Sequence, residues 1–250
     1  MDAATQHILP FLLVLSRISA FLAVMPVWSA KGIPVRVRAG LALVVAAAFT
    51  AAQGPIPGGI PTDWFSLSLL VVHETLCGVV LGLAVAIVFA AIRQTGEIIH
   101  MQMGMADAEI IDPLTGEEPH PLGLLLETAF LVLFLVSGGH LLLLQLIERS
   151  YTMFPIGHPP SVGVMAEVLI ESGTLMLVYG LKLAAPILAG FLLLAVLLAV
   201  LARAMPEMNI LIESFPLRVG LGLFLAAALV PALNGFTREL SEWLAGFAVA

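Results

Sequence analysis

The chain is short of charge: only 11% of its 250 residues are Asp, Glu, Lys or Arg, while 60% are hydrophobic. A soluble domain is about a quarter charged because its surface must be wetted. A water-exposed shell is therefore excluded over most of this chain, which leaves lipid or other apolar subunits as its surroundings. Basic residues are few and scattered. Ten Lys and Arg stand against seventeen Asp and Glu, a net charge of −7, and they form no stripe for phosphates, which excludes nucleic acid as a partner. Cysteine is almost missing: Cys77, alone in an apolar run, excludes an intramolecular disulfide and a cysteine metal cluster and reads as packing material. The amino-terminal Met1-Asp2-Ala3-Ala4 lacks the basic residues that open a cleavable secretory signal, so the first apolar run is expected to be a retained helix.

Assembled catalytic sets are lacking as well. His73-Glu74 would open a zinc-protease motif, but Cys77 stands where the second histidine is needed. Ser137-Gly138-Gly139-His140 is not a nucleophile elbow, having neither the Gly-x-Ser-x-Gly spacing nor a preceding strand. No metal, cofactor or catalytic residue is assigned. Glu127 and the Glu148-Arg149 pair read as structural ion pairs ahead of a proton relay, while His73 and Glu74 are assigned no role beyond a coupling site, with Glu127, in a transporter.

What the chain does have is long apolar runs. A membrane-crossing helix needs about 20 mostly apolar residues, and Ile8 to Trp28, Trp64 to Ile92, Leu122 to Ile147 and Ile210 to Leu233 meet that length. Gly40 to Ala52 is short unless it extends back through the basic segment holding Lys31, Arg36 and Arg38. The Pro- and Gly-rich stretch from Gln53 to Pro61 must be a loop, as must Pro155 to Pro160. Val162 to Ala202 exceeds one span, and Lys182 with Pro186 is expected to divide it. The expected fold is all-α, a polytopic membrane-type protein of about six long apolar helices. The positive-inside rule favours a cytoplasmic Lys31, Arg36 and Arg38, but simple alternation of spans fits the acidic segment after Arg93 poorly.

Three features could carry assembly or chemistry. Gly78, Gly82, Ala86 and Ala90 recur every fourth residue, a ridge on which two helix backbones can approach closely, whether the neighbour is internal or another subunit. Glu167, Glu171, Thr174 and Lys182 fall near one helical face, directed at water, a pore or a charged partner, or else lying at the interface. Between Arg93 and Pro121, Met101, Met103 and Met105 alternate with Gln102 and Gly104, and are followed by Asp107, Glu109, Ile110, Ile111, Asp112, Pro113, Glu117 and Glu118. Unbranched, deformable methionines suit a surface that must seal and reshape, although an ordinary surface loop has the same composition.

From these residues the chain resembles the FliR family, whose injectisome counterparts are called SctT. The motif from Gly96 to Gly104 with Ala108, Asp112-Pro113 and Gly116 carries the likeness, followed by Leu133-Phe134-Leu135, Gly139-His140, Ser150 and Pro155-Ile156-Gly157. Pro186, Arg203, Pro206-Glu207-Met208-Asn209, Phe215-Pro216-Leu217 and Gly220 form a second signature, and Arg17, Pro26 and Ile33-Pro34 with Arg36 fit near the start. Gly138 departs from the Asn or Asp expected before Gly139-His140, and the Glu213-Ser214 pair is more polar than the family pattern.

The resemblance implies one subunit, residues 1–250, with a FliP-like half at 1–160 joined to a FliQ-like half at 161–250. It implies a non-enzymatic part of the flagellar type III export gate, in the bacterial inner membrane at the flagellar basal body. Its implied partners are FliP, FliQ and FlhB homologues, unfolded export substrates and membrane lipid. The family's pore is closed partly by a loop that corresponds here to about Met105 to Pro121. On that basis Met103, Met105, Ile110 and Ile111, with Asp112 and Pro113 in the same loop, are expected at the plug. The alternatives are the injectisome version of the gate and, behind it, a small-solute secondary transporter. A transporter would show matched broken helices in two inverted halves, and only the Pro186 run is broken by its sequence.

Overall fold

A computed structural model describes residues 3–29, 33–53, 63–104, 121–157, 161–205 and 210–246. Among these residues every regular element is an α-helix. The helices are α1 (Ala3–Val24), α2 (Pro26–Ser29), α3 (Val35–Gln53), α4 (Trp64–Gln102), α5 (Pro121–Val136), α6 (Gly139–Met153), α7 (Val162–Ala204) and α8 (Ile210–Gly246). Four of them (α3, α4, α7 and α8) are long and apolar enough to cross a membrane, and the bent pair α5–α6 makes five if it counts as one span. The apolar part of α1, Ile8–Val24, is shorter. This is a multi-pass membrane protein.

Local chemistry sets most of the helix ends. Proline cannot continue α1 but suits a first helical position, and Pro26 opens α2 after Met25 bonds back to Phe21 (3.1 Å). Asp63 caps α4: its carboxylate accepts the Ser66 amide at 2.9 Å, and these bonds hold its pKa below the ordinary aspartate value. At the other end Gly104 takes φ +75° and donates to Met101 O (3.0 Å). Inside the helices, Ser and Thr hydroxyls turn back to carbonyls three or four residues earlier, as Thr75 does to Val71 and Thr95 to Ala91. Those polar groups therefore need no partner from lipid.

Five stretches differ from the sequence expectation, the first being Ile8 to Trp28, which is not one helix because α1 stops at Val24 and Pro26 opens α2. The α4 helix continues ten residues past Ile92 to Gln102, because Arg93 and Glu97 pair at i,i+4 (3.3 Å) while Ile92, Thr95, Ile99 and His100 are buried. The run from Leu122 to Ile147 is not one helix: it breaks at Ser137-Gly138 with a bend of 76°. Conversely, α7 is continuous through Pro186. Proline removes only one amide there, and Leu183, Ala184 and Ile187 on the same turns are packed inward. Finally, α8 runs beyond Leu233 to Gly246.

The chain forms two compact units, with boundaries inside α4, α7 and α8 and at the start of α6. One comprises 1–88, 140–174 and 244–250, and the other 89–139 and 175–243. In the first, α1 packs on α3 and on the first part of α4, burying Leu13, Val14, Ile18 and Phe21 with Ala42, Ala46 and Leu81. The second is centred on aromatic rings. Phe89 meets Phe130 (5.0 Å between centroids) and Phe134 (5.3 Å), and Phe236 meets Phe130 (5.2 Å) and Tyr179 (5.0 Å). Offset and edge-on rings at such distances add attraction beyond the area they bury.

Candidate functional site

The most demanding side chain in the first unit is Arg17. It sits in the middle of α1 and is 1% exposed. A guanidinium in apolar surroundings is tolerated only if its donors and charge are met, and here all three nitrogens are engaged. Arg17 Nε donates to Glu74 Oε2 at 2.6 Å, one terminal nitrogen donates to Ser150 Oγ at 3.1 Å, and the other to the Phe154 carbonyl at 2.8 Å. The Tyr151 ring centre lies 4.2 Å from the guanidinium carbon, a cation–π contact, and the Phe49 ring is tilted against Tyr151 at 6.2 Å between centroids. Glu74 in turn accepts the Gly157 amide. One buried ion pair thus ties α1 to α4 and to the turn that ends α6.

The helices meet closely beside this pair. A Cβ at Gly78 would overlap the Arg17 carbonyl, and one at Gly82 would press on the Phe21 carbonyl and the Val24 side chain. These two glycines let α4 lie directly on the α1 backbone, while Ala86 and Ala90, further along the ridge, are half-buried.

The second unit repeats the device. A Cβ at Gly96 would overlap Gly123 on α5, and Gly222 on α8 leaves the room that Met103 fills. Met103 is buried at the end of α4, whereas Met101 is 59% exposed. Gly139 lies against the Phe134 ring at the α5–α6 break. Among the described residues no cluster of His, Cys, Asp or Glu could hold a metal ion.

Among the described residues the geometry is that of a helical protein with close small-residue contacts and one buried charge pair. Residues 8–243 match the family of bacterial export proteins, family 1. The flagellar biosynthetic protein FliR of Escherichia coli is 33% identical over 226 residues, covering 90% of this chain and 86% of that protein. The chain belongs to the FliR family. The FliR of Bacillus subtilis is 30% identical, covering 86% of this chain and 83% of its own length. The Yop proteins translocation protein T of Yersinia pestis is 28% identical over 220 residues, covering 87% and 84%.

Of the positions expected as a signature from the resemblance, Arg17 is the centre of the buried network, with Ser150 and the Phe154–Gly157 turn around it. Gly139 is buried at the α5–α6 break, while His140, Pro186, Arg203 and Pro216 are exposed. Pro206 and Asn209 lie outside the described residues, as do Met105, Ile110, Ile111, Asp112 and Pro113 of the expected plug. Glu167, Glu171 and Lys182 are exposed on α7, and Lys182 Nζ stands 4.7 Å from the centre of the Tyr179 ring. His73 is half-buried, its Nδ1 without a hydrogen-bond partner among the described residues. Sequence reasoning left the role of Glu74 open and did not join it to Arg17. The signal was present: one acid and one base, each deep inside an apolar run, in a chain with few of either.

Proposed function

We propose that this FliR-family chain is a non-enzymatic subunit of the flagellar type III protein export gate in the bacterial inner membrane, where it helps to form and close the pore for unfolded flagellar proteins. The observation that carries this reading is the family match together with large apolar side chains left exposed along α3, α7 and α8. Exposed apolar surface on this scale marks contact with membrane or protein partners. Homologues of FliP, FliQ and FlhB are the proposed partners, with a FliP-like half over 1–160 and a FliQ-like half over 161–250.

In this reading the segment after α4 is the seal. Met103 anchors its start against Gly222, and Met105, Ile110 and Ile111 exclude water from the resting pore, since an apolar constriction blocks ions by dewetting. Asp112 and Pro113 keep the segment out of lipid and out of helix, and the flexible methionines yield when a chain passes. Glu167, Glu171 and Lys182 present a polar face to water or a partner. Deleting Ile110 to Glu118 is expected to raise ion leak through the resting gate while the chain still co-purifies with its FliP and FliQ homologues. Unchanged leak removes the plug role, and failure to co-purify even in the intact chain removes the gate reading. The match to the Yersinia translocation protein supports the injectisome version as the second reading.

A further inference from the structure

The chain has two lysines, Lys31 and Lys182, and the second stands by itself. From 172 to 202 it is the only charged residue of α7. Lys182 is exposed, and Val178, Ala185, Pro186, Ala189 and Leu193 are exposed with it. At 3.6 residues per turn these positions fall within about 60° of the lysine, so it is set in an apolar face. The Tyr179 hydroxyl, which could accept from the ammonium, donates to the Glu239 carboxylate of α8. Lys182 Nζ meets the Tyr179 ring, 4.7 Å from its centre, and among the described residues no carboxylate pairs with it. A ring face answers part of an ammonium's charge. In apolar surroundings the rest has to be paired or wetted. The backbone adds a second unmet group, because Pro186 has no amide to give the Lys182 carbonyl four residues earlier.

We propose that this face of α7 docks an apolar helix of a partner gate subunit, and that one Asp or Glu on that helix pairs its carboxylate with Lys182. Two observations favour a protein helix. Ala185 and Ala189 flank the lysine on its own face, and small residues let two helix backbones approach closely in an apolar setting. The apolar surface also continues past the lysine in both directions, from Val178 to Leu193, which puts its charge inside a contact rather than at the rim. Charge complementarity fixes the sign. A cation enclosed by such a contact is stable only opposite an anion, and removing either member leaves the other buried and unpaired. The pairing rests on the gate reading above and names the chemistry of one contact within it.

Zero-length cross-linking tests it in the complex purified with the FliP, FliQ and FlhB homologues. On a Lys31→Arg background Lys182 carries the only lysine amine of the chain, and a carbodiimide joins an amine to a carboxylate only where the two touch. Mass spectrometry is expected to find Lys182 Nζ in amide linkage to one Asp or Glu of a partner subunit. Lys182→Arg is expected to abolish that linkage while the complex stays assembled, since a guanidinium keeps the charge but is not coupled. Lys182→Met is expected to raise the dissociation rate of the complex in detergent by about 30-fold or more. An unchanged rate in Lys182→Met overturns the inference, as does coupling to a carboxylate of the chain itself, such as Glu239. So does a complex in which Lys182 is not coupled at all, or is acetylated by a water-soluble reagent as fast as after denaturation in dodecyl sulfate. Failure of the Lys31→Arg chain and the unaltered chain to co-purify strikes the gate reading and the pairing with it. An assembled complex without the Lys182 linkage strikes this inference alone.

Discussion

Arg17 shows how a single residue can be indispensable without touching a substrate. Its charge was removed from water on folding, and what offsets that cost is Glu74, Ser150 and the Phe154 carbonyl together. Arg17→Leu leaves Glu74 buried without its cation and is expected to cost about 3–5 kcal/mol in a denaturant titration of the purified protein. The double variant Arg17→Leu, Glu74→Leu is expected to recover much of that loss, since replacing both partners by apolar groups can be near neutral. If the double variant is no more stable than the single one, the pair is not the origin of the effect. Gly78 lies at the same place for a steric reason. Its Cβ would meet backbone, which cannot swing aside, so Gly78→Ala is expected to cost about 1–3 kcal/mol in the same titration. At Gly222 the obstacle is the flexible Met103 side chain, so Gly222→Ala is expected to cost less.

Among the helices, the α5–α6 break is the most local in origin. Gly138 holds φ +83° and no atom stands where its Cβ would be. Only backbone strain opposes a side chain there, and Asn and Asp tolerate this left-handed conformation better than other residues. Glycine at 138 and the Asn or Asp expected there from the resemblance are thus all compatible with this turn. Gly138→Ala is expected to lower stability by about 1–2 kcal/mol and Gly138→Asn by less, read from thermal unfolding in one detergent. Equal losses would show that volume rather than conformation matters.

The apolar runs and the all-helical character were legible because each is local in the chain, while most of the two expected proline-rich loops, 54–61 and 158–160, lies outside the described residues. The continuation of α4 was hidden, since Arg93 and Glu97 look like the start of a polar linker until their helical pairing and the buried Ile92, Thr95 and Ile99 are seen. Pro186 was overweighted, because the burial of Leu183, Ala184 and Ile187 around it, which accompanies an unbroken α7, is not visible in the local sequence. The Arg17–Glu74 pair was half legible. The arginine stood out by resemblance, but its partner is 57 residues away, and no local pattern reports such a pairing.

For the whole molecule the deciding quantity is the surface left uncovered. The span in α3 is only 11% buried and those in α7 and α8 are 28% buried, against 56% for α4. Only α4 is largely enclosed by this chain. The other three must obtain most of their contacts from lipid or partner subunits. Expressed without the FliP and FliQ homologues, the chain is therefore expected to accumulate to a lower level and to elute as aggregates in mild detergent. Co-expression with them is expected to restore a single species on size exclusion. Equal abundance and a single peak in both cases would mean that lipid alone covers these faces.

The partners of Arg17 also set an order of events during synthesis. Glu74 follows it by 57 residues, Ser150 by 133 and the Phe154 carbonyl by 137. At about 5–20 residues per second the ribosome needs roughly 7–27 s to reach Ser150 after making Arg17. Early in that interval α1 carries a cation with no partner, and for the rest of it Ser150 and the Phe154 carbonyl do not yet exist. The first helix must wait in water, at the membrane surface or in the insertion machinery until α4 and then the end of α6 arrive. A nascent chain halted short of residue 150 holds its arginine by the Glu74 carboxylate alone.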